Sequence, residues 1–129
     1  MPLHLLLIFL GGGIGSALRY LVSGWMQRAA RGPLETFPLG TLSVNVIGCL
    51  LIGLLAAMFS EPRIVREETR SLLLIGILGG FTTFSTFGYE TIRLIEDRQW
   101  SWAIANIAIT NLACLFSVWI MWRAGRSIS

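Results

Sequence analysis

Lysine is absent from this chain, and charge of any kind is scarce. The ten basic residues are all arginine, Asp and Glu together number seven, and charged residues make up 13% of the sequence. A soluble domain of this size carries about 25%. Such scarcity, in a chain that is 54% apolar, sets aside an ordinary soluble fold and points to an integral membrane protein. The net charge of +3 comes from loop arginines suited to lipid headgroups, so nucleic acid is not an expected partner. Cysteine is rare too: Cys49 and Cys114 both lie in apolar runs and read as small packing residues rather than a disulfide or a metal pair. The single histidine, His4, has no ligand-type neighbour on which to found a metal site. A basic segment before the first apolar run, as in a cleavable signal, is missing, so that run is expected to remain as a span. No nucleophile–base pair, phosphate loop or metal cluster is visible, and "GGGIG" lacks the βαβ context of a dinucleotide fingerprint. The chain does not read as an enzyme.

What is present is apolar length. A span needs about 20 mostly apolar residues. Four such runs, at about 3–25, 39–59, 72–95 and 100–122, are separated by "RAARGPLETFP", "SEPRIVREETR" and "EDRQ". Trp25, Trp100, Trp102, Trp119 and Trp122 fall at their ends, where amphipathic rings sit at headgroup level. The expected architecture is a single all-α, four-helix membrane domain over 1–129, with function inside the membrane.

Orientation is finely balanced. Arg63, Arg66, Arg70, Arg123 and Arg126 fall on one side, and Arg28, Arg31, Arg93 and Arg98 on the other. The positive-inside rule therefore gives almost no preference. Either one strong local signal decides, or both orientations are made, which permits an antiparallel homodimer with a two-fold axis in the membrane plane.

Polar and small residues fall on helical stripes. Gly12, Ser16, Arg19 and Ser23 share a face of the first span, with Gly11 and Gly15 in GxxxG spacing close by. Thr41, Asn45 and Gly48 align on the second, with Cys49 at the margin. Asn106, Thr110 and Ser117 align on the fourth, with Cys114 somewhat off. The first stripe reads as helix-packing surface. Asn45 fits packing or an ion path equally, since a buried amide needs a partner and its NH₂ can donate to an anion. Arg19 either snorkels to the headgroups or holds positive potential at a vestibule.

The third span contains "GILGGFTTFSTFGYET", residues 76–91. Gly79-Gly80 weakens a helix, and Thr82, Thr83, Ser85 and Thr86 can rebond freed backbone groups. Irregular backbone at membrane depth needs protein around it or a wet pathway. At a two-fold axis, two copies of the break would meet, and their carbonyls could enclose one monovalent cation. Phe84 and Phe87, three apart, offer positive ring edges that suit a small anion. Glu90 is the one carboxylate within a span, ~10 Å beyond the break at about 1.5 Å per residue. That position does not suit a central proton carrier.

"GGxxGxxxR", "GTLxVNxxG" and "GGFTTFSTF" with a nearby Glu, in this order, resemble the Fluc/CrcB family of small bacterial fluoride channels along nearly the whole chain. The resemblance implies passive fluoride efflux by an antiparallel, dual-topology homodimer in the bacterial cytoplasmic (inner) membrane. It implies two pores per dimer and a structural central Na⁺. By motif, Gly79 and Thr82 would give the Na⁺ their carbonyls. Asn45, Phe84, Phe87, Ser85 and Thr86 would line the ion pathway, and Arg19 the vestibule. Glu90, Asn106 and Cys114 are further pathway candidates. The expected partners are fluoride, a second copy of the chain and lipid. The competing reading is a small dual-topology proton-coupled drug or cation antiporter, which would want a carboxylate in the first span where this chain has only Arg19. A third is a non-transporting assembly subunit.

Overall fold

The computed structural model describes residues 1–61 and 65–128; Arg63, counted in the charge balance above, lies outside them. Four helical segments are long and apolar enough to cross a membrane, and the protein is a multi-pass membrane protein. The first, α1, is Pro2–Ala29, opened by a proline whose missing N–H costs nothing at a helix start. A short 3₁₀ turn, Gly32–Glu35, leads to α2, Leu39–Met58. Residues 67–81 form α3, most of it (Ser71–Leu78) wound as a π-helix, with a last α-helical turn at Gly79–Phe81. After two extended residues comes α4, Phe84–Glu96, and then α5, Trp100–Ile128. The turn between them passes through Arg98 at φ 57°, with Gln99 N–H bonded back to Leu94 C=O at 2.8 Å.

Helices whose outer surfaces are apolar gain nothing from hydrophobic segregation in lipid, so close backbone approach has to hold them together. Glycine supplies it. On α1 only Gly11 and Gly15 are buried. A Cβ on Gly11 would stand 2.8 Å from Leu72 C=O, and one on Gly15 would collide with Ile77 C=O. Across that contact Gly76 and Gly80 return the approach onto Gly11 and Gly12. α2 packs chiefly on α5, where a Cβ on Gly53 would stand 2.6 Å from Val118 C=O. Leu3, Phe9, Ile14 and Leu18 on α1, and Ile104, Leu112 and Phe116 on α5, are left exposed, as a lipid-facing surface requires.

Two of the three expected stripes are buried, and that of α1 (Gly12, Ser16, Arg19 and Ser23) is only half-buried, beside the buried Gly11 and Gly15. Thr41, Asn45 and Gly48 are buried on α2, and Asn106, Thr110 and Ser117 on α5. The glycine pair is used differently from the expectation. Gly79 and Gly80 are helical, and the chain leaves helical geometry only at Thr82 (φ −88°, ψ 159°) and Thr83 (φ −154°, ψ 122°). Gly80 is needed for contact with α1, and the interruption has another cause, given below.

The first loop is tied down by one side chain. Gln27 donates to Phe37 C=O at 3.1 Å and to Glu35 C=O at 3.3 Å, and accepts from Gly40 N–H at 3.0 Å. It thereby satisfies one of the N–H groups that a helix start leaves unpaired.

The glycine contacts give a paired test. Gly15→Ala should cost about 1–3 kcal/mol through overpacking against backbone that cannot move aside. Gly13→Ala, with nothing within 4 Å, should be neutral or stabilising by up to about 1 kcal/mol. Thermal unfolding of the two variants in one detergent reads the difference.

Candidate ion pathway at the helix break

Asn45 explains the break. In an unbroken helix the Thr83 N–H would bond to Gly79 C=O. Here it donates to Asn45 Oδ1 at 2.8 Å, and Asn45 Nδ2 donates to Thr83 C=O at 2.9 Å. The amide pairs with one residue's backbone much as a neighbouring strand would. Thr82 N–H still closes the last turn onto Leu78 C=O at 3.0 Å, so the helix ends one residue before the clamp.

Beyond the clamp, α4 restarts with its own cap. Thr83 Oγ1 accepts from Thr86 N–H at 3.2 Å, an N-cap bond to the third helical residue. Thr86 N–H is the group that an unbroken helix would direct to Thr82 C=O. The helix end leaves four carbonyls, Gly79 to Thr82, without their helical donors; Gly79 loses its donor to the Asn45 clamp and Thr82 to the cap. Arg19 Nη1 reaches Thr82 C=O at 3.5 Å, which places this arginine beside the break rather than out among headgroups. Thr83 Oγ1 also meets Thr86 Oγ1 at 3.0 Å and Ser85 Oγ at 3.3 Å.

Two cavities border this knot, and a third lies further along α4. A groove of about 340 Å³ is lined by Asn45, Cys49, Gly79, Thr82, Thr83, Phe84, Phe87, Thr110, Asn111 and Cys114, among others. Phe84 and Phe87 lie with ring centroids 5.3 Å apart, Phe87 buried and Phe84 78% exposed at the rim. The second cavity, about 220 Å³, holds Arg19, Ser16, Ser23, Thr41, Thr83 and Thr86. The third, about 410 Å³, opens among Gln27, Glu90, Arg93, Asp97 and Gln99. Thr83 borders the first two. Thr41 borders the second and donates to Glu90 Oε1, at the third, at 2.6 Å. Hydroxyls therefore link the three in sequence.

The sequence-derived candidates divide among these spaces. Asn45, Gly79, Thr82, Phe84, Phe87 and Cys114 come together in the groove. Arg19 and Thr86 lie in the second cavity, and Glu90 in the third. Ser85 is exposed and touches the chain of hydroxyls through Thr83. Glu90 pairs with Thr41 and not with Arg93, and its Oε2 is buried with no partner. Asn106 faces the helix interior, 1% exposed, donating to Thr91 Oγ1 at 2.9 Å and accepting from Thr110 Oγ1 at 3.1 Å. It is separate from the groove lining, where Thr110 and Asn111 stand instead. The cysteines, read from sequence as unrelated packing residues, stand together in the groove wall.

Sequence reasoning passed over Thr83 as a site residue. The Thr-x-x-Thr spacing of Thr83 and Thr86 was the available signal, since an N-cap hydroxyl sits at that distance from the N–H it caps. Thr41 was aligned with Asn45, but its link to Glu90 spans two helices and is not visible in spacing.

Asn45→Leu keeps the branched shape of the side chain and removes both bonds to Thr83. Each orphaned backbone group costs about 1–3 kcal/mol. The expected result is a large fall in thermal stability, with faster amide exchange at Thr83 and Thr86 than in α1.

The family described as CrcB-like protein, Camphor Resistance (CrcB), matches residues 6–122. A protein of Methanosarcina acetivorans named fluoride-specific ion channel FluC 1 is 45% identical over 116 residues, covering 90% of this chain and 86% of its own. The fluoride-specific ion channel FluC of Geobacter metallireducens is 44% identical over 119 residues, covering 92% and 93%. That of Sorangium cellulosum is 46% identical over 110 residues, covering 85% and 84%. These relatives are named as channels, a non-enzymatic function. With the match running along nearly all of its four helices, the chain belongs to the CrcB family.

Proposed function

We propose that this protein is a fluoride-selective channel that lets fluoride leave the cytoplasm passively across the bacterial inner membrane. The observation that carries the reading is the line of hydroxyls and amides through the helix break, flanked by Phe84 and Phe87. Fluoride is small and strongly hydrated, so a route through a membrane protein must replace its water with donors. Asn45 has two amide hydrogens and spends one on Thr83. Thr86 and Ser85 bring hydroxyls, the aromatic pair brings ring edges, and Arg19 adds positive potential without lying in the groove. At acidic external pH, HF enters uncharged and dissociates inside, and a channel lets the trapped anion leave down its electrochemical gradient.

The working unit is an antiparallel homodimer with two pores. Carbonyls of Gly79 and Thr82, freed from their helical donors, cannot face hydrocarbon without a cost of several kcal/mol each. Gly79 and Phe84 are both exposed on the single chain, so a second copy is the natural cover for that face. The near-even arginine balance permits the copy to insert inverted. Two chains bring four carbonyls, an all-oxygen set that suits a hard monovalent cation such as Na⁺. When bound, Na⁺ would supply positive charge that joins the two breaks, and this chain's part is to release the carbonyls by engaging Thr83 and Thr86 elsewhere.

The test is fluoride and chloride efflux from liposomes containing purified protein. Fluoride efflux set by voltage alone is expected, with chloride far slower. Phe84→Ile with Phe87→Ile should slow fluoride by at least about tenfold, equivalent to ~1.4 kcal/mol of barrier. Unchanged flux in that variant contradicts the pathway assignment. Flux that demands a counter-moving proton favours the antiporter, for which Glu90 would be the carrier.

A further inference from the structure

Cys49 of α2 and Cys114 of α5 are both free, both half-buried, and both in the wall of the groove beside Asn45 and Phe87. Both line the same groove, on two helices packed against each other. Neither is engaged by the network of hydroxyls and amides around the break. The helices that carry them pack closely, with Gly53 seated on Val118 and Gly125 on Ala57. The two thiols therefore border one groove from helices that the scaffold holds together.

We propose that Cys49 and Cys114 form a dithiol site for a soft, two-coordinate divalent metal of the mercuric class, and that the metal bound there plugs the groove. Soft thiolates select soft cations over hard ones. Two ligands satisfy a linear ion, so no third His, Cys, Asp or Glu is required; no such cluster occurs among the described residues. Charge decides which soft ion fits. The groove wall is mostly apolar, where an ionic product is costly. Mercuric chloride is neutral and enters as such. Each thiol gives up its proton and each chloride leaves, HgCl₂ + 2 RSH → Hg(SR)₂ + 2 H⁺ + 2 Cl⁻, with no change of oxidation state and a neutral product. Silver held by the same pair would leave a negative charge in the groove. Once one sulfur has bound, the second is already in place, an advantage of about 10²–10⁴-fold over a single thiol.

Binding stands independently of the channel reading, whereas the plugging rests on it. The binding test uses the purified full-length protein, HgCl₂ and an excess of a monothiol competitor, read by intact mass and by maleimide counting of free thiols. The expected result is one mercury per chain, both thiols lost together, and retention against the competitor. Cys49→Ser and Cys114→Ser should each weaken retention by about 10²-fold or more. Two mercury ions per chain, single variants that retain metal like the parent, or mercury joining two chains in the denatured protein would each overturn the site. In liposomes, HgCl₂ should abolish the parent's fluoride efflux and a dithiol restore it, each single variant being compared with its own untreated rate. Efflux that persists with mercury demonstrably bound overturns the plugging. A parent with no fluoride efflux before mercury is added overturns the channel reading, and the mass measurement still decides the site.

Discussion

Two hydrogen bonds between the Asn45 amide and the backbone of Thr83 hold the helix break and the groove beside it in place. They take the N–H that would have continued α3 and give Thr83 an extended conformation. From that follow the release of the Gly79 carbonyl, the capping of α4 by the Thr83 hydroxyl, and the release of the Thr82 carbonyl. A peptide group left unpaired in hydrocarbon is costly, so a chain can break a helix inside a membrane only if something replaces the lost partner. Asn45 is that replacement, and it is itself buried.

The clamp depends on how closely α2 and α3 meet. Gly48, one turn along α2 from Asn45, has its absent Cβ position taken by the Thr82 methyl. A larger residue there would push the break away from the amide. Similar contacts recur where Gly11 and Gly15 admit the π-helical part of α3, and where Gly53 admits α5. Small residues thus set helix positions, and the positions bring polar groups within hydrogen-bond reach. The fold and the helix break depend on the same packing.

Much of this was legible in the sequence. Hydropathy located the four helices, and helical spacing found the buried faces of α2 and α5, because period and burial are local properties. The break was legible in kind and displaced in position. Gly79-Gly80 is the weakest helical stretch by propensity, yet the helix runs through it, because α1 packs against Gly80 and Asn45 captures the backbone only at Thr83. Asn106, a pathway candidate by resemblance, lies on the polar stripe of its helix as Asn45 does. Spacing tells which way an amide points within its helix, but not whether the neighbour there is a cavity or, as with Thr91, a waiting hydroxyl. The meeting of Cys49 with Cys114, and of Thr41 with Glu90, depends on contacts between helices and left no trace in either helix alone.

The account turns on where the third membrane segment ceases to be helical. Solid-state NMR of the protein in lipid bilayers, with Thr and Gly isotopically labelled, reads this residue by residue. Extended-type backbone shifts at Thr82 and Thr83, between helical ones at Gly79–Gly80 and at Thr86, are the expected result. Helical shifts at every labelled position from Gly79 to Thr86 would contradict the clamp and the pathway built around it.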